Sequence, residues 1–181
     1  MCIICCGNYD PNMTSLDCYN CRQITSIPQL NLLNHLSCGN CPSLINIPQM
    51  NLLTYLSCYN CLSLINIPQL NLLTHLSCSN CPSLINIPQM NLLTALYCYN
   101  CPSLVMLPQL NLLNWLSCSN CPLLYLPYKL RQGFNIKSNC MINKIRYQQL
   151  KTKRRYRSMV GSIILNNTVL YPVIINIIIN Y

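Results

Sequence analysis

A 20-residue period runs through most of this chain. Prolines recur without a slip at Pro28, Pro48, Pro68, Pro88 and Pro108. Of the 16 cysteines, twelve keep the same period as CxxC pairs and form two columns: Cys18, Cys38, Cys58, Cys78, Cys98 and Cys118, then Cys21, Cys41, Cys61, Cys81, Cys101 and Cys121. A period of this size predicts a repeat solenoid in which each unit is one coil.

Each unit, written LxxLxCxxCxxLxxIPxxN, has two halves. In Leu53–Cys58 apolar and polar residues alternate, which predicts a short strand with one buried face. From Cys61 to Pro68 apolar residues lie three apart and a proline is fixed. Because proline cannot donate to a sheet ladder, this half predicts an extended or 3₁₀-like return outside the sheet.

The pattern resembles a leucine-rich repeat of a short, cysteine-containing kind. The resemblance covers residues 13–128, about six units that begin at Met13, Leu33, Leu53, Leu73, Leu93 and Leu113. It implies short parallel strands on the concave face of a solenoid, with Cys61 at a position where the family has Asn or Cys. The Cys-Ser-Asn-Cys-Pro runs and the Asn-, Ile- and Tyr-rich composition also resemble the leucine-rich repeat proteins of giant amoeba viruses.

Three further segments flank the repeats. Residues 1–12, with Cys2, Cys5 and Cys6, predict an N-terminal cap, because terminal repeats expose core. Residues 129–157 are basic and predict an α-helical C-terminal cap, with Ser138 as its N-cap. Residues 158–181 form an apolar tail that Asn and Pro interrupt, which favours a strand or irregular segment over a membrane span.

Charge and titratable residues limit the chemistry. The chain has two acidic residues, Asp10 and Asp17, and two histidines, so we predict that it is not an enzyme and has no catalytic residues. No lysine or arginine lies between residues 23 and 128, so the repeats cannot neutralise phosphates. Nucleic acid or an anionic membrane could bind only through 129–157, whose densest basic patch is Lys151, Lys153, Arg154, Arg155 and Arg157.

The N-terminus lacks the basic and apolar regions of a secretory signal, so we expect a cytoplasmic, reducing setting, which is the host-cell cytoplasm if the protein is viral. The two cysteine columns are then interpreted as a ladder of buried thiols, with no metal and no cofactor. Two alternatives stay open. Cys38 to Cys61 has the zinc-like spacing C-x2-C-x16-C-x2-C, which the repeat itself also produces, and the pairs could instead form disulfides.

The outward strand positions predict a binding face. The position between the two strand leucines changes at nearly every unit while the framework stays fixed: Ser15, His35, Tyr55, His75, Ala95 and Trp115. Aromatic residues often anchor interfaces, so we predict that a protein partner binds through His35, Tyr55, Tyr59, His75, Tyr97, Tyr99 and Trp115. The alternatives are drifted surface positions without a partner, a zinc-stabilised structural protein, and a basic adaptor acting through 129–157.

Overall fold

The computed structural model describes residues 2–124 of the chain. Six strands of three residues each form one parallel sheet in chain order. They are β1 (Ser15–Asp17), β2 (His35–Ser37), β3 (Tyr55–Ser57), β4 (His75–Ser77), β5 (Ala95–Tyr97) and β6 (Trp115–Ser117). The described residues therefore form a parallel β-solenoid with a repeat of about 20 residues.

The register follows the repeat without a shift. Leu56 of β3 pairs with Leu36 of β2 and with Leu76 of β4, and every other strand pair keeps the same 20-residue step. The central leucine of each strand is buried, and its neighbours mostly face outward. The predicted short parallel strands with one buried face are confirmed. Ser57 and Ala95 are exceptions, since both lie at outward positions and are buried.

The return half of each coil begins with a tight turn. In the third coil the Leu64 amide donates to the Cys61 carbonyl at 3.2 Å, and equivalent bonds close the turns of the neighbouring coils. Further along, single residues such as Asn66 and Asn86 pair in isolated parallel bridges. No described residue of the returns is in a 3₁₀ helix. The returns are extended and contact one another through single bridge residues and through side-chain hydrogen bonds, such as that from Ser83 Oγ to the Leu62 carbonyl at 2.7 Å.

The core consists of stacked columns of equivalent side chains. In the second coil it contains the leucines, isoleucine, methionine and both cysteines, all buried: Leu33, Leu36, Cys38, Cys41, Leu44, Ile47 and Met50. Both cysteine columns are buried from Cys18 to Cys101, and Cys121 is half-buried. Burial of this much apolar surface, at about 25 cal/mol per Å², is the main force that holds the coils together.

Asparagine makes the corner between each strand and the following turn. Asn20, Asn40, Asn60, Asn80, Asn100 and Asn120 all have left-handed φ values between 55° and 62°. Asparagine adopts this region more readily than most residues with a side chain. The side chains also join neighbouring coils, as where Asn100 Nδ2 donates to Asn80 Oδ1 at 2.8 Å. The corner asparagine therefore supplies both the backbone conformation and a contact between coils.

Several predictions concern residues outside the described range. These are the helical cap and basic segment 129–157, its basic patch (Lys151, Lys153, Arg154, Arg155 and Arg157), the tail 158–181, and the last residues of the predicted repeat region, 125–128. Among residues 2–124, no helix is long and apolar enough to cross a membrane.

Candidate functional site

The predicted binding residues lie on the outward side of the sheet, which we call the outer sheet face. It consists of the outward strand positions and the residue that follows each first-column cysteine. Parallel pairing places Tyr55 between His35 and His75, and Ala95 beside Trp115. Tyr55 is 37% exposed and Trp115 is 43% exposed. Large aromatic rings therefore lie in solvent directly above a fully buried layer of leucines.

Three rings stack along the first half of this face. The His35 and Tyr55 ring centroids are 4.3 Å apart with planes 3° from parallel. Tyr55 and His75 follow at 6.3 Å and 30°. The Thr74 hydroxyl and His75 Nδ1 are 2.9 Å apart, and this hydrogen bond helps to orient the His75 ring, the last of the three in chain order. These contacts hold the rings in place before any partner arrives.

A second aromatic group lies at the other end of the described sheet. The rings of Tyr97 and Trp115 are 6.3 Å apart and tilted by 40°. Tyr99, two residues beyond Tyr97, is also exposed. Buried Ala95 separates this group from the His35–Tyr55–His75 row along the first column. The ring contacts thus define two clusters on this face, His35–Tyr55–His75 and Tyr97–Trp115.

Tyr59 lies in a gap left by a glycine and contacts Tyr19. Its ring lies 6.0 Å from that of Tyr19, two coils away. A Cβ on Gly39, in the coil between them, would lie 2.6 Å from Tyr59 Cε1, so only glycine leaves room for this ring position. A hydrogen bond with Tyr19, together with burial, raises the pKa of Tyr59 to about 12. Tyr59 therefore stays a neutral hydrogen-bonding phenol.

The second cysteine column has a polar role that the sequence analysis missed. The Cys61 thiol donates to the Cys38 carbonyl at 3.1 Å, and Cys41, Cys81, Cys101 and Cys121 make the same bond to the coil before them. The repeat pattern alone predicts these cysteines as small hydrophobic residues of the core. The available signal was that the resembled family accepts Asn or Cys here, because both can donate a hydrogen bond.

The first cysteine column consists of more inert groups. Burial raises the pKa of Cys58, Cys78 and Cys98 well above the ordinary value of 9.0, so these thiols stay protonated. Cys118 departs from the predicted thiol state because it is disulfide-bonded. The remaining cysteines of the described residues are free thiols.

Three cysteines from different parts of the sequence meet at the N-terminal end of the solenoid. The Cys5 and Cys21 sulfurs are 3.2 Å apart, and those of Cys2 and Cys5 are 3.6 Å apart. Within residues 2–124 this is the one group of three or more His, Cys or acidic side chains whose ligating atoms could hold a metal ion. The sequence predicts Cys2 and Cys5 in a cap and Cys21 in the ladder, and the proximity of the three is not predicted.

The electrostatics of this thiol cluster, defined as Cys2, Cys5 and Cys21, are uneven. A hydrogen bond with Cys21, followed by burial, raises the pKa of Cys5 to about 12. Burial acts to raise the pKa of Cys21, but hydrogen bonds with Cys5 and Cys2 and from backbone amides outweigh it and lower that pKa to about 6. Of Cys5 and Cys21, Cys21 is therefore the thiol that ionises more readily.

A column of exposed leucines forms a second apolar surface that the sequence analysis did not single out. Each leucine precedes a buried leucine in the Asn-Leu-Leu motif and is between 40% and 51% exposed: Leu32, Leu52, Leu72, Leu92 and Leu112. The Asn-Leu-Leu motif could have predicted this column, because two adjacent leucines at a turn cannot both face the core. This column provides a matched comparison for the outer sheet face.

Charged side chains of the described residues lie only in the N-terminal segment and first coil, at Asp10, Asp17 and Arg22. From β2 onward the outer sheet face therefore has no side chain of fixed charge. Comparison of the chain with protein-family models, with curated proteins and with solved structures found no match.

Proposed function

We propose that this protein is a non-enzymatic scaffold that binds a protein partner through the outer sheet face. The observation that carries the proposal is the stacked row of half-buried His35 and exposed Tyr55 and His75 above the leucine core. Rings that are already held by stacking lose little conformational freedom on binding, so more of the contact energy contributes to affinity.

The chemistry of the face selects the kind of partner. Phenol, indole and imidazole groups offer apolar area and single hydrogen bonds, whereas no fixed charge lies on β2–β6. Such a surface favours a neutral protein or peptide surface over nucleic acid, which needs cations to neutralise its phosphates. The two aromatic clusters, separated by Ala95, favour a partner with two apolar contact points.

The repeat pattern extends the proposal to the architecture. The LxxLxC strand motif supports a solenoid of the leucine-rich repeat type, with the outer sheet face on its concave side. The composition supports a relationship to the leucine-rich repeat proteins of giant amoeba viruses, and hence action in the host cytoplasm. These proposals depend on sequence resemblance alone.

The test compares two double variants of the full chain. Tyr55→Ala/Trp115→Ala removes one anchor from each aromatic cluster, and Leu52→Ala/Leu112→Ala removes similarly exposed apolar side chains elsewhere. Partners captured by the wild-type chain are identified, and their affinities for all three proteins are measured. A central anchor contributes about 2 kcal/mol or more, so each lost ring should weaken binding about 30-fold.

The outcomes separate the competing interpretations. Loss of binding in the aromatic variant alone, with an unchanged circular dichroism spectrum, supports the proposal. Loss in the leucine variant alone would transfer the binding site to the leucine column and contradict it. Equal binding by all three proteins would mean that the aromatic positions are drifted surface residues.

A further inference from the structure

We infer that Cys2, Cys5 and Cys21 form a binding site for one thiophilic metal ion, Zn²⁺, at the N-terminal end of the solenoid. This site is distinct from the proposed partner-binding face. It also differs from the zinc alternative raised by the repeat spacing, because only one repeat cysteine, Cys21, takes part.

The sulfur geometry carries the inference. Zn–S bonds of about 2.3 Å in a tetrahedral site place the sulfurs about 3.8 Å apart. The Cys2–Cys5 distance is 3.6 Å, the Cys5–Cys21 distance is 3.2 Å, and all three sulfurs lie within 4.8 Å of one another. The first two distances differ from this value by about 0.2 and 0.6 Å and the third by at most about 1 Å, which small side-chain rotations can supply.

The position of Cys21 in the solenoid explains why its sulfur is available. In later coils the equivalent thiol donates to a backbone carbonyl of the preceding coil, as Cys41 does to Cys18 at 3.2 Å. Cys21 lies in the coil of β1, and within residues 2–124 its sulfur donates to no backbone carbonyl of another coil. Its sulfur contacts Cys5 instead. The thiol-to-carbonyl bond of the later coils is thus replaced at Cys21 by a contact with another potential metal ligand.

The surroundings suit a thiolate-bound cation with an open position. A surface cavity of about 390 Å³ adjoins the cluster and is lined by Cys2, Cys21, Tyr19, Asn20, Arg22 and Gln23. It gives a metal ion an entry path and leaves space for water as the fourth ligand. Three thiolates around Zn²⁺ leave one net negative charge, and Arg22, which also lines this cavity, supplies a positive charge in the same region.

Metal binding is the favoured use of the cluster over a disulfide for a stoichiometric reason. A disulfide joins two sulfurs and leaves the third without a role, whereas the three sulfurs here are mutually close. Soft thiolate ligands also select Zn²⁺ over hard cations such as Mg²⁺. Formation of a Cys5–Cys21 disulfide is the competing outcome, since these sulfurs are only 3.2 Å apart.

The experiment uses the freshly reduced full chain and Co²⁺ as a spectroscopic substitute for Zn²⁺. Co²⁺ is titrated into the wild type, the Cys2→Ser/Cys5→Ser variant and the Cys6→Ser variant, with thiolate-to-cobalt charge-transfer absorption as the readout. Cys6 is a matched control because it adjoins Cys5 in sequence but is exposed and outside the cluster. Zn²⁺ is then added to displace Co²⁺, and bound zinc is counted per chain.

We expect one Co²⁺ per chain in the wild type and in Cys6→Ser, full displacement by Zn²⁺, and at least a 100-fold weaker affinity in the double variant. Absence of charge-transfer absorption in the wild type would overturn the inference without reference to any variant. Equal binding by the double variant would assign the metal to other cysteines, and loss in Cys6→Ser would refute the three-ligand assignment. Reduced protein that forms a Cys5–Cys21 disulfide in air despite saturating Zn²⁺ would also contradict it.

Discussion

Substitutions at Cys61 test whether the second cysteine column acts as a set of hydrogen-bond donors. The Cys61 side chain is fully buried, and its thiol donates to the equally buried Cys38 carbonyl at 3.1 Å. If the thiol serves only as apolar filling, serine should be no better than alanine there. If its donor matters, serine should be the better replacement, because a hydroxyl keeps the donor.

The magnitudes follow from the contacts. Cys61→Ala leaves the Cys38 carbonyl without its donor, at about 1–2 kcal/mol for a weak thiol donor. The lost packing of one heavy atom adds about 1 kcal/mol. We therefore expect Cys61→Ala to lower the free energy of unfolding by about 2–3 kcal/mol, and Cys61→Ser by about 1 kcal/mol.

Cys58 supplies the matched control in the same coil. It is equally buried, but its thiol has no hydrogen-bond partner among the described residues. A serine hydroxyl there would be buried without an acceptor, at about 1–3 kcal/mol, so Cys58→Ser should be less stable than Cys58→Ala. The order of serine and alanine should thus reverse between the two positions.

Urea denaturation followed by circular dichroism, under one fixed redox condition, measures all four variants and the wild type. The midpoints are compared at equal slope, since a changed slope would signal that the coils no longer unfold together. Serine at Cys61 that is as destabilising as alanine, or more so, would refute the donor interpretation. If serine were also the better replacement at Cys58, the difference between serine and alanine at Cys61 could not be due to the hydrogen bond with the Cys38 carbonyl.

Three other predictions concern the corner, the core and the titration of the thiols. Asn100→Ala should destabilise more than Asn100→Gly, by about 1 kcal/mol, because alanine disfavours a φ of 55° while both lose the side-chain bonds between coils; equal thermal unfolding would contradict this. Leu76→Ala should lower the unfolding free energy by about 2–5 kcal/mol, because the side chain is fully buried, whereas exposed Leu72→Ala should change it by less than about 0.5 kcal/mol. Burial raises the pKa of three thiols above 9.0: Cys58, Cys78 and Cys98. These thiols therefore ionise at lower pH in the unfolded chain than in the folded one. Their contribution to the free energy of unfolding is complete below about pH 8.5 and is lost as pH rises toward their folded pKa values. For the three together the loss is up to about 4 kcal/mol per pH unit. Urea midpoints that stay constant between pH 8.5 and 10.5 would rule out this linkage.

For the outer sheet face, the sequence predicts which aromatic residues point outward but not the contacts between their rings. The period of 20 assigned Tyr55, His75 and Trp115 to one outward column, and the structure places them at equivalent positions of β3, β4 and β6. Which rings stack was not predictable, because stacking depends on side-chain rotamers and on the step between coils. The break at Ala95, which divides the aromatic residues into two clusters, became clear only when its burial was known.

The sequence by itself determined the solenoid, the length of its coil, the position of the strands and the buried columns. Those features follow from two periods, one of two residues within a strand and one of 20 residues between coils, and both recur in every repeat unit. Tertiary structure decided the contacts that join residues outside those periods. Cys61 reaches a carbonyl 23 residues earlier, whereas the Cys21 sulfur lies against those of Cys2 and Cys5. Such contacts depend on how one coil is displaced over the next, which a single repeat unit does not encode.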